Sequence, residues 1–324
     1  MSSITGPAAT DPRPTADVGS TGRLGDRVFS ALSTGSGILV VVVIGAIATF
    51  LLASAIPSLR RNEASFLTER VWEVSSGSLR FGIADMLWVT VVSSLIAMAI
   101  AVPLAVGVAL FLTQYAPARL ARPFAAAVDL LAAVPSIVFG IWGYFVLREY
   151  VTPVQGAISS RLGWFPLFGD ETVSGTIFLA GVVLAIMILP IVTAISREVF
   201  DQTPGTHKEA ALALGATKWE MIRTAVLPFG RPGVISASML GLGRALGETI
   251  AVLLIISSVR GEFSWSVFSG GETFASRIAR DAGEFDSPDK TGAYIAAGLV
   301  LFLLTFAVNA VARVVIERRK AFSE

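Results

Sequence analysis

The sequence predicts an all-α, polytopic membrane protein with six transmembrane helices. Three observations carry this expectation. Mean hydropathy is +0.72, and only 15% of the 324 residues are charged, which does not describe a water-soluble globule. Several stretches reach the roughly 18–20 apolar residues needed to cross about 30 Å of hydrocarbon. Polar segments carrying the charges separate them, so helix packing in lipid sets most of the core. The absence of cysteine and the single histidine exclude disulfides, thiolate nucleophiles and multi-histidine metal centres. A net charge of +1 gives no reason to expect a nucleic-acid partner.

Taken in order, residues 1–30 open with a Ser-, Thr-, Pro-, Gly- and Ala-rich stretch that reads as a disordered tail. The apolar run after it is too long for a cleaved signal peptide and is expected to remain as a first span over 35–56, closed by Pro57. Segment 57–82 is polar and charged. A second span runs from about Ile83 to Phe111, with Asp85 and Trp88 near its start as interfacial groups and a bend at Pro103. A third, from Phe124 to Leu147, is interrupted by Pro135-Ser136 and carries Asp129 near its front. A fourth covers Thr176 to Ile195, a fifth Gly233 to Ser257 and a sixth Ala293 to Ala312, before a basic tail over 313–324.

Orientation follows from the basic residues. With both termini, the 113–122 linker and the 196–232 loop on one side, that side holds 14 of the 25 Lys and Arg. The positive-inside trend then makes it the cytoplasmic side.

The stretch from Thr206 to Pro228 is a polar, small-residue island between two spans. It reads as two short helices around Gly215, where a residue without Cβ permits a sharp turn. Thr206 with Glu209, and Thr217 with Glu220, have capping-box spacing. Trp219, Ile222 and Val226 form an apolar stripe on the second helix, and Leu227-Pro228 is expected to end or kink it.

Two features inside the membrane carry chemistry. Arg244 and Glu248, four apart in the fifth span, are expected to share a helix face near the midplane. An arginine there costs several kcal/mol, so it must face protein or water. The pair reads either as an ion pair that fixes register or as the lining of an anion path, since a guanidinium fork matches oxyanions. Asp129 and Ser136 in the third span are weaker candidates, the first interfacial or channel-lining, the second beside a proline break where backbone polar groups could meet solute. Gly233, Ala237 and Gly241, like Gly243 and Gly247, repeat at four and suit close approach of another helix, expected to be that of a dimer partner. No G-x-x-x-x-G-K-[S/T] sequence occurs, so the chain itself should not hold ATP through a P-loop.

Glu209-Ala210-Ala211, Gly215 and Leu227-Pro228 resemble the EAA loop of permease subunits of binding-protein-dependent ABC importers, with Ala225 a mild departure at a usually larger apolar position. The segments A-V-P-S-I-V-F-G-I-W-G at 133–143 and G-L-G-R-A-L-G-E-T-I-A-V at 241–252 further resemble the C-type permease subunit of bacterial phosphate-specific (Pst) importers, over residues 80 to 312 or so. The A-type partner permease has a block similar to the second segment. The resemblance implies a type I ABC importer permease fold over 83–312 in the bacterial inner membrane, with both termini cytoplasmic. It implies a heterodimer with an A-type permease, two cytoplasmic ATPase subunits that bind ATP and Mg, and an extracytoplasmic phosphate-binding protein. This chain would bind no cofactor or metal and catalyse no reaction. Arg244 and Glu248 match the family's membrane arginine and glutamate, and Glu209, Ala210, Ala211 and Gly215 match its coupling residues, to which Trp219, Leu227 and Pro228 are added. Sulfate or molybdate would suit the arginine as well, and a non-transporting scaffold or sensor is the reading from another class. A secondary carrier would leave the hairpin unexplained.

Overall fold

The structure, a computed structural model, describes residues 24–75, 78–169, 174–258 and 264–320. Among them are twelve α-helices and one hairpin, with short π and 3-10 turns between: α1 Leu24–Arg61, β1 Trp72–Ser75, β2 Ser78–Phe81, α2 Ala84–Leu110, α3 Ala118–Ala132, α4 Ser136–Trp142, α5 Arg148–Leu162, α6 Ile177–Asp201, α7 Gly205–Ala213, α8 Lys218–Met221, α9 Leu227–Gly247, α10 Ile250–Ile255, α11 Phe274–Asp281 and α12 Pro288–Lys320. Among them five helical stretches are long and apolar enough to cross a membrane, or six if the pair bent by 90° between Ala132 and Ser136 counts as one span. Residues up to Phe50 form one unit and those from Leu51 a second. In the first, α1 is exposed almost throughout.

In the second unit the core is built on α6, two thirds of whose most apolar window is buried. It packs on α2 through small residues. A Cβ on Gly181 would lie 2.6 Å from Ile96 Cγ2, so glycine sets the distance between these helices. On α2 itself Ala97, Ala101, Ala105 and Ala109, four apart, are fully buried. Helix α9 runs antiparallel to α6. A Cβ on Gly233 would lie 2.4 Å from Val199 Cγ2 and one on Gly241 2.9 Å from Val192 Cγ2, while Ala237 is buried against Val192. The stripe expected to meet a dimer partner thus packs within the chain, because α6 offers β-branched Val192 and Val199 to fill the grooves that the glycines leave.

Several boundaries differ from expectation. Residues 1–23 of the expected tail lie outside the described residues, and residues 24–30 belong to α1. Pro57 does not close α1, which continues to Arg61; within a helix a proline forfeits one bond and can be tolerated as a bend. The polar segment after it holds the β-hairpin, pinned by Asn62, whose Nδ2 donates to the Phe81 carbonyl at 2.7 Å while its Oδ1 accepts from Phe81 N at 3.1 Å. Pro228 does not end the second hairpin helix: it sits in the first turn of α9. The wide turn over Ile222–Val226 just before it absorbs the clash that a proline ring makes with the preceding turn.

The segment after α10 lies between two expected spans, yet residues 266–270 are all buried. They knit the ends of three helices together. Ile177 and Phe178 of α6 donate to the carbonyls of Ser269 and Val267 at 2.9 and 2.8 Å, which satisfies backbone donors that a helix start leaves without partners. Gly271 N donates to the Ser257 carbonyl at 3.0 Å, and Phe274 N to Thr90 Oγ1 of α2 at 3.2 Å.

Candidate functional site: two broken spans and an exposed hairpin

Two spans are interrupted, and the interruptions face each other. The third is broken at Ala133–Pro135, where Pro135 has extended backbone (ψ 139°) and α4 starts afresh at Ser136. The fifth is broken at Glu248–Thr249, with Glu248 also extended (ψ 127°). A Cβ on Gly140 would lie 2.9 Å from Ala251 Cα and 3.1 Å from Leu254 Cδ1, and one on Gly143 3.2 Å from Ile255 Cδ1. Contacts advance along both helices together, so α4 and α10 lie side by side and start at the same end. Glycine at 140 and 143 is what lets them approach so closely.

Arg244 lies in the last turn of α9. Gly241, one turn earlier, meets Ile188 and Val192, which flank the middle of α6 (Ile177–Asp201). Arg244 is therefore within a turn or so of mid-helix depth. Its face also carries Leu240, 57% exposed, and Gly247, and Gly243 borders it; a Cβ on either glycine would meet nothing within 4 Å. The second small-residue pair is thus on an open face.

Arg244 and Glu248 do not share a helix face, since α9 ends at Gly247. Glu248 Oε1 instead accepts from Ala251 N of α10 at 3.2 Å. Among the described residues no ion pair within 4.0 Å joins Arg244 to Glu248. The i, i+4 spacing puts both on one face only along an unbroken helix; the break after Gly247 leaves Glu248, one residue before the cap Thr249, to accept from the first turn of the next helix.

Asp129 lies on α3, where its Oδ2 meets Arg197 Nη2 of α6 at 3.5 Å. It is half exposed, and it ties α3 to the end of α6 that leads into the hairpin. Among the described residues it is not joined by hydrogen bond or ion pair to Ser136, Arg244 or Glu248. Ser136 sits in the first turn of α4 at the break.

The hairpin is two helices around a tight turn, as expected. Gly215 has φ +86°, a conformation that side chains with Cβ rarely adopt. Thr217 caps α8 through a full capping box: its Oγ1 accepts from Glu220 N at 3.3 Å, and its own N–H donates to Glu220 Oε2 at 2.7 Å. The box expected at Thr206 does not form, because Pro204 already occupies the cap position and α7 begins at Gly205. The stripe is shifted too. Met221, Ile222 and Val226 are buried with Phe200 and Leu110, while Trp219 is 56% exposed. Glu209, Ala210, Gly215 and Pro228 are exposed, Ala211 and Leu227 half-buried. Leu214, which sequence reading passed over, is 90% exposed; its position beside the turn glycine was the available signal.

Residues 101–321 match the family model described as binding-protein-dependent transport system inner membrane component. The chain belongs to that family. Among its relatives, "Phosphate transport system permease protein PstC 2" of Mycobacterium tuberculosis is 57% identical over 298 residues, covering 90% of this chain and 92% of the relative. "Phosphate transport system permease protein PstC" of Mycobacterium leprae is 58% identical over 273 residues, covering 83% and 86%. The protein of the same name from Mesorhizobium japonicum is 40% identical over 300 residues, covering 91% of each. A chain of the inward-facing MetNI methionine ABC transporter superimposes with a TM-score of 0.56 at 15% identity, over 73% of this chain and 95% of that one, and the likeness concerns the fold. The fold is that of ABC importer permeases, and family members are inner-membrane components of binding-protein-dependent transport systems.

Proposed function

We propose that this chain is the C-type permease of an ATP-driven importer of inorganic phosphate. The observation that carries this is the membrane arginine on an open face beside two broken spans. Lipid cannot cover Arg244 without a cost of several kcal/mol, and open Gly247 on the same face and Gly243 bordering it allow another backbone to come close. A second permease of A type, facing this one, would enclose the arginine in a polar path lined by Arg244, Glu248 and Ser136. The broken backbone at Pro135 and Glu248 would add polar groups to that path, as discontinuous helices do in transporters. Asp129, tied to Arg197, has a positioning role in this reading, outside the path itself.

This chain performs no chemistry. Its residues attract, orient and release an anion. Arg244 supplies the attraction, and the negative charge of Glu248 nearby along the chain keeps the site from holding the anion permanently. Glu209, Ala210, Ala211, Gly215, Trp219, Leu227 and Pro228 form the hairpin that would dock on an ATPase subunit, one of two that bind ATP and Mg. Exposed Leu214 and Trp219 offer that subunit an apolar contact. Both termini and the hairpin then lie in the cytoplasm, and an extracytoplasmic phosphate-binding protein delivers the ligand at the opposite face. Phosphate rather than sulfate is favoured by the names of the relatives above; the arginine accommodates either.

The test is uptake of labelled phosphate, with sulfate as competitor, in proteoliposomes holding the assembled importer and its binding protein. ATP-dependent phosphate uptake that sulfate does not compete away supports the reading. Uptake of sulfate alone overturns the substrate, and no uptake of either overturns the transport role.

A further inference from the structure

Helix α10 has only six residues, too few to be stable alone, and it carries Glu248 at its start. Something must hold it. On one flank Gly140 of α4 touches Ala251. At the far end Ser257 N donates to the Gly175 carbonyl at 3.0 Å, and Ser257 O accepts from Gly271 N. The next residue, Ser258, donates its Oγ to Glu272 Oε1 at 2.9 Å.

Glu272 is the buried hub of an ionic cluster, the rest of it partly exposed, that the pathway does not use. Its side chain is 9% exposed and pairs with two guanidiniums of α11, Arg277 at 2.5 Å and Arg280. Arg277 continues to Asp281 at 2.7 Å, and Asp281 Oδ2 accepts from Tyr294 OH of α12 at 2.8 Å. The relay therefore runs from the end of α10 through Ser258, Glu272, Arg277, Asp281 and Tyr294 to the last span. A buried carboxylate is costly unless paired and hydrogen-bonded, and here both oxygens are taken.

We infer that Glu272 is a positioning residue: its ionic cluster anchors the half-helix α10 and so fixes Glu248 at the membrane break. The link to transport rests on the proposed anion path, whereas the anchoring itself does not. The experiment compares amide exchange and transport in the reconstituted complex for wild type, Glu272→Gln and Ser258→Ala. Glu272→Gln keeps the shape and removes the charge. Ser258→Ala cuts only the tie to α10 and leaves the ion pairs of α11 intact.

Losing a charged, buried hydrogen-bond partner predicts amide exchange over residues 250–256 faster by about tenfold or more in Glu272→Gln, with α6 unchanged. Ser258→Ala should show a smaller rise, about two- to fivefold, in the same segment. Phosphate moved per ATP hydrolysed should fall in both, more in Glu272→Gln. Unchanged exchange at 250–256 in both variants overturns the anchor. So does an equal rise in α6, which would mark a general structural role. If exchange rises locally while transport per ATP stays at the wild-type value, the anchor stands and the pathway role of Glu248 falls.

Discussion

Gly140 offers the sharpest test of how the two broken spans meet. A Cβ there would sit 2.9 Å from Ala251 Cα and 3.1 Å from Leu254 Cδ1. Carbon atoms in good contact lie at about 3.5–4.0 Å, so Gly140→Ala must separate α4 from α10 by about 0.6 Å or more. The atom in the way is backbone and cannot rotate aside. Overpacking of this kind costs about 1–3 kcal/mol, and the better helix propensity of alanine returns about 1 kcal/mol. The net for Gly140→Ala is a loss of about 0–2 kcal/mol, and Gly140→Val, with two more methyl groups, should exceed about 3 kcal/mol. Gly107 in α2, where a Cβ would meet nothing within 4 Å, is the control, and Gly107→Ala should be neutral or slightly stabilising. The assay is the thermal inactivation midpoint of the purified importer together with its uptake rate in proteoliposomes. The expected order of stability is Gly107→Ala, Gly140→Ala, Gly140→Val, from highest to lowest. Gly140→Val with wild-type midpoint and uptake would refute the side-by-side packing of α4 and α10.

Other outcomes follow from the same geometry. Gly215→Ala forces a Cβ into φ +86° and should destabilise the hairpin by about 1–2 kcal/mol, read as faster proteolysis there without loss of the membrane core. Asp129→Asn removes an ion pair that is 51% exposed on the acid side. It should therefore change stability by less than about 1 kcal/mol, measured by the same thermal midpoint. Leu214→Glu puts a charge on a side chain that touches little of this chain, so the permease should fold normally. It should fail to retain the ATPase on co-purification.

Much of this was legible in the sequence because hydropathy reports burial in lipid directly, and the apolar runs became α1, α2, α6, α9 and α12. The turn at Gly215 and the cap at Thr217 were legible because both depend on neighbours in the chain. Thr206 misled because capping spacing does not reveal which residue starts the helix, and Pro204 took that place. Small residues spaced by four announce a close neighbour without naming it. Gly233 and Gly241 found Val199 and Val192 of the same chain, while Gly243 and Gly247 remain open. The acid–base spacing at Glu272, Arg277 and Asp281 was visible but lay in a stretch read only as polar, whereas the strap through Ser266–Gly271 had no local signature. The strap's bonds reach Leu167, Ile177 and Ser257, and such pairing leaves no period in the sequence. Break points in spans were half visible: Pro135 signalled one, but nothing at Glu248 did, and that omission put Arg244 and Glu248 on one face.

In the proposed function Arg244 draws the anion through the membrane. The measurement that meets it most directly is phosphate uptake by the assembled importer carrying Arg244→Ala, with assembly checked by co-purification of all subunits. The expected outcome is that assembly survives and that uptake is abolished while the ATPase subunits still hydrolyse ATP. Wild-type uptake by Arg244→Ala would contradict it and leave the arginine as a structural group at the interface between permeases.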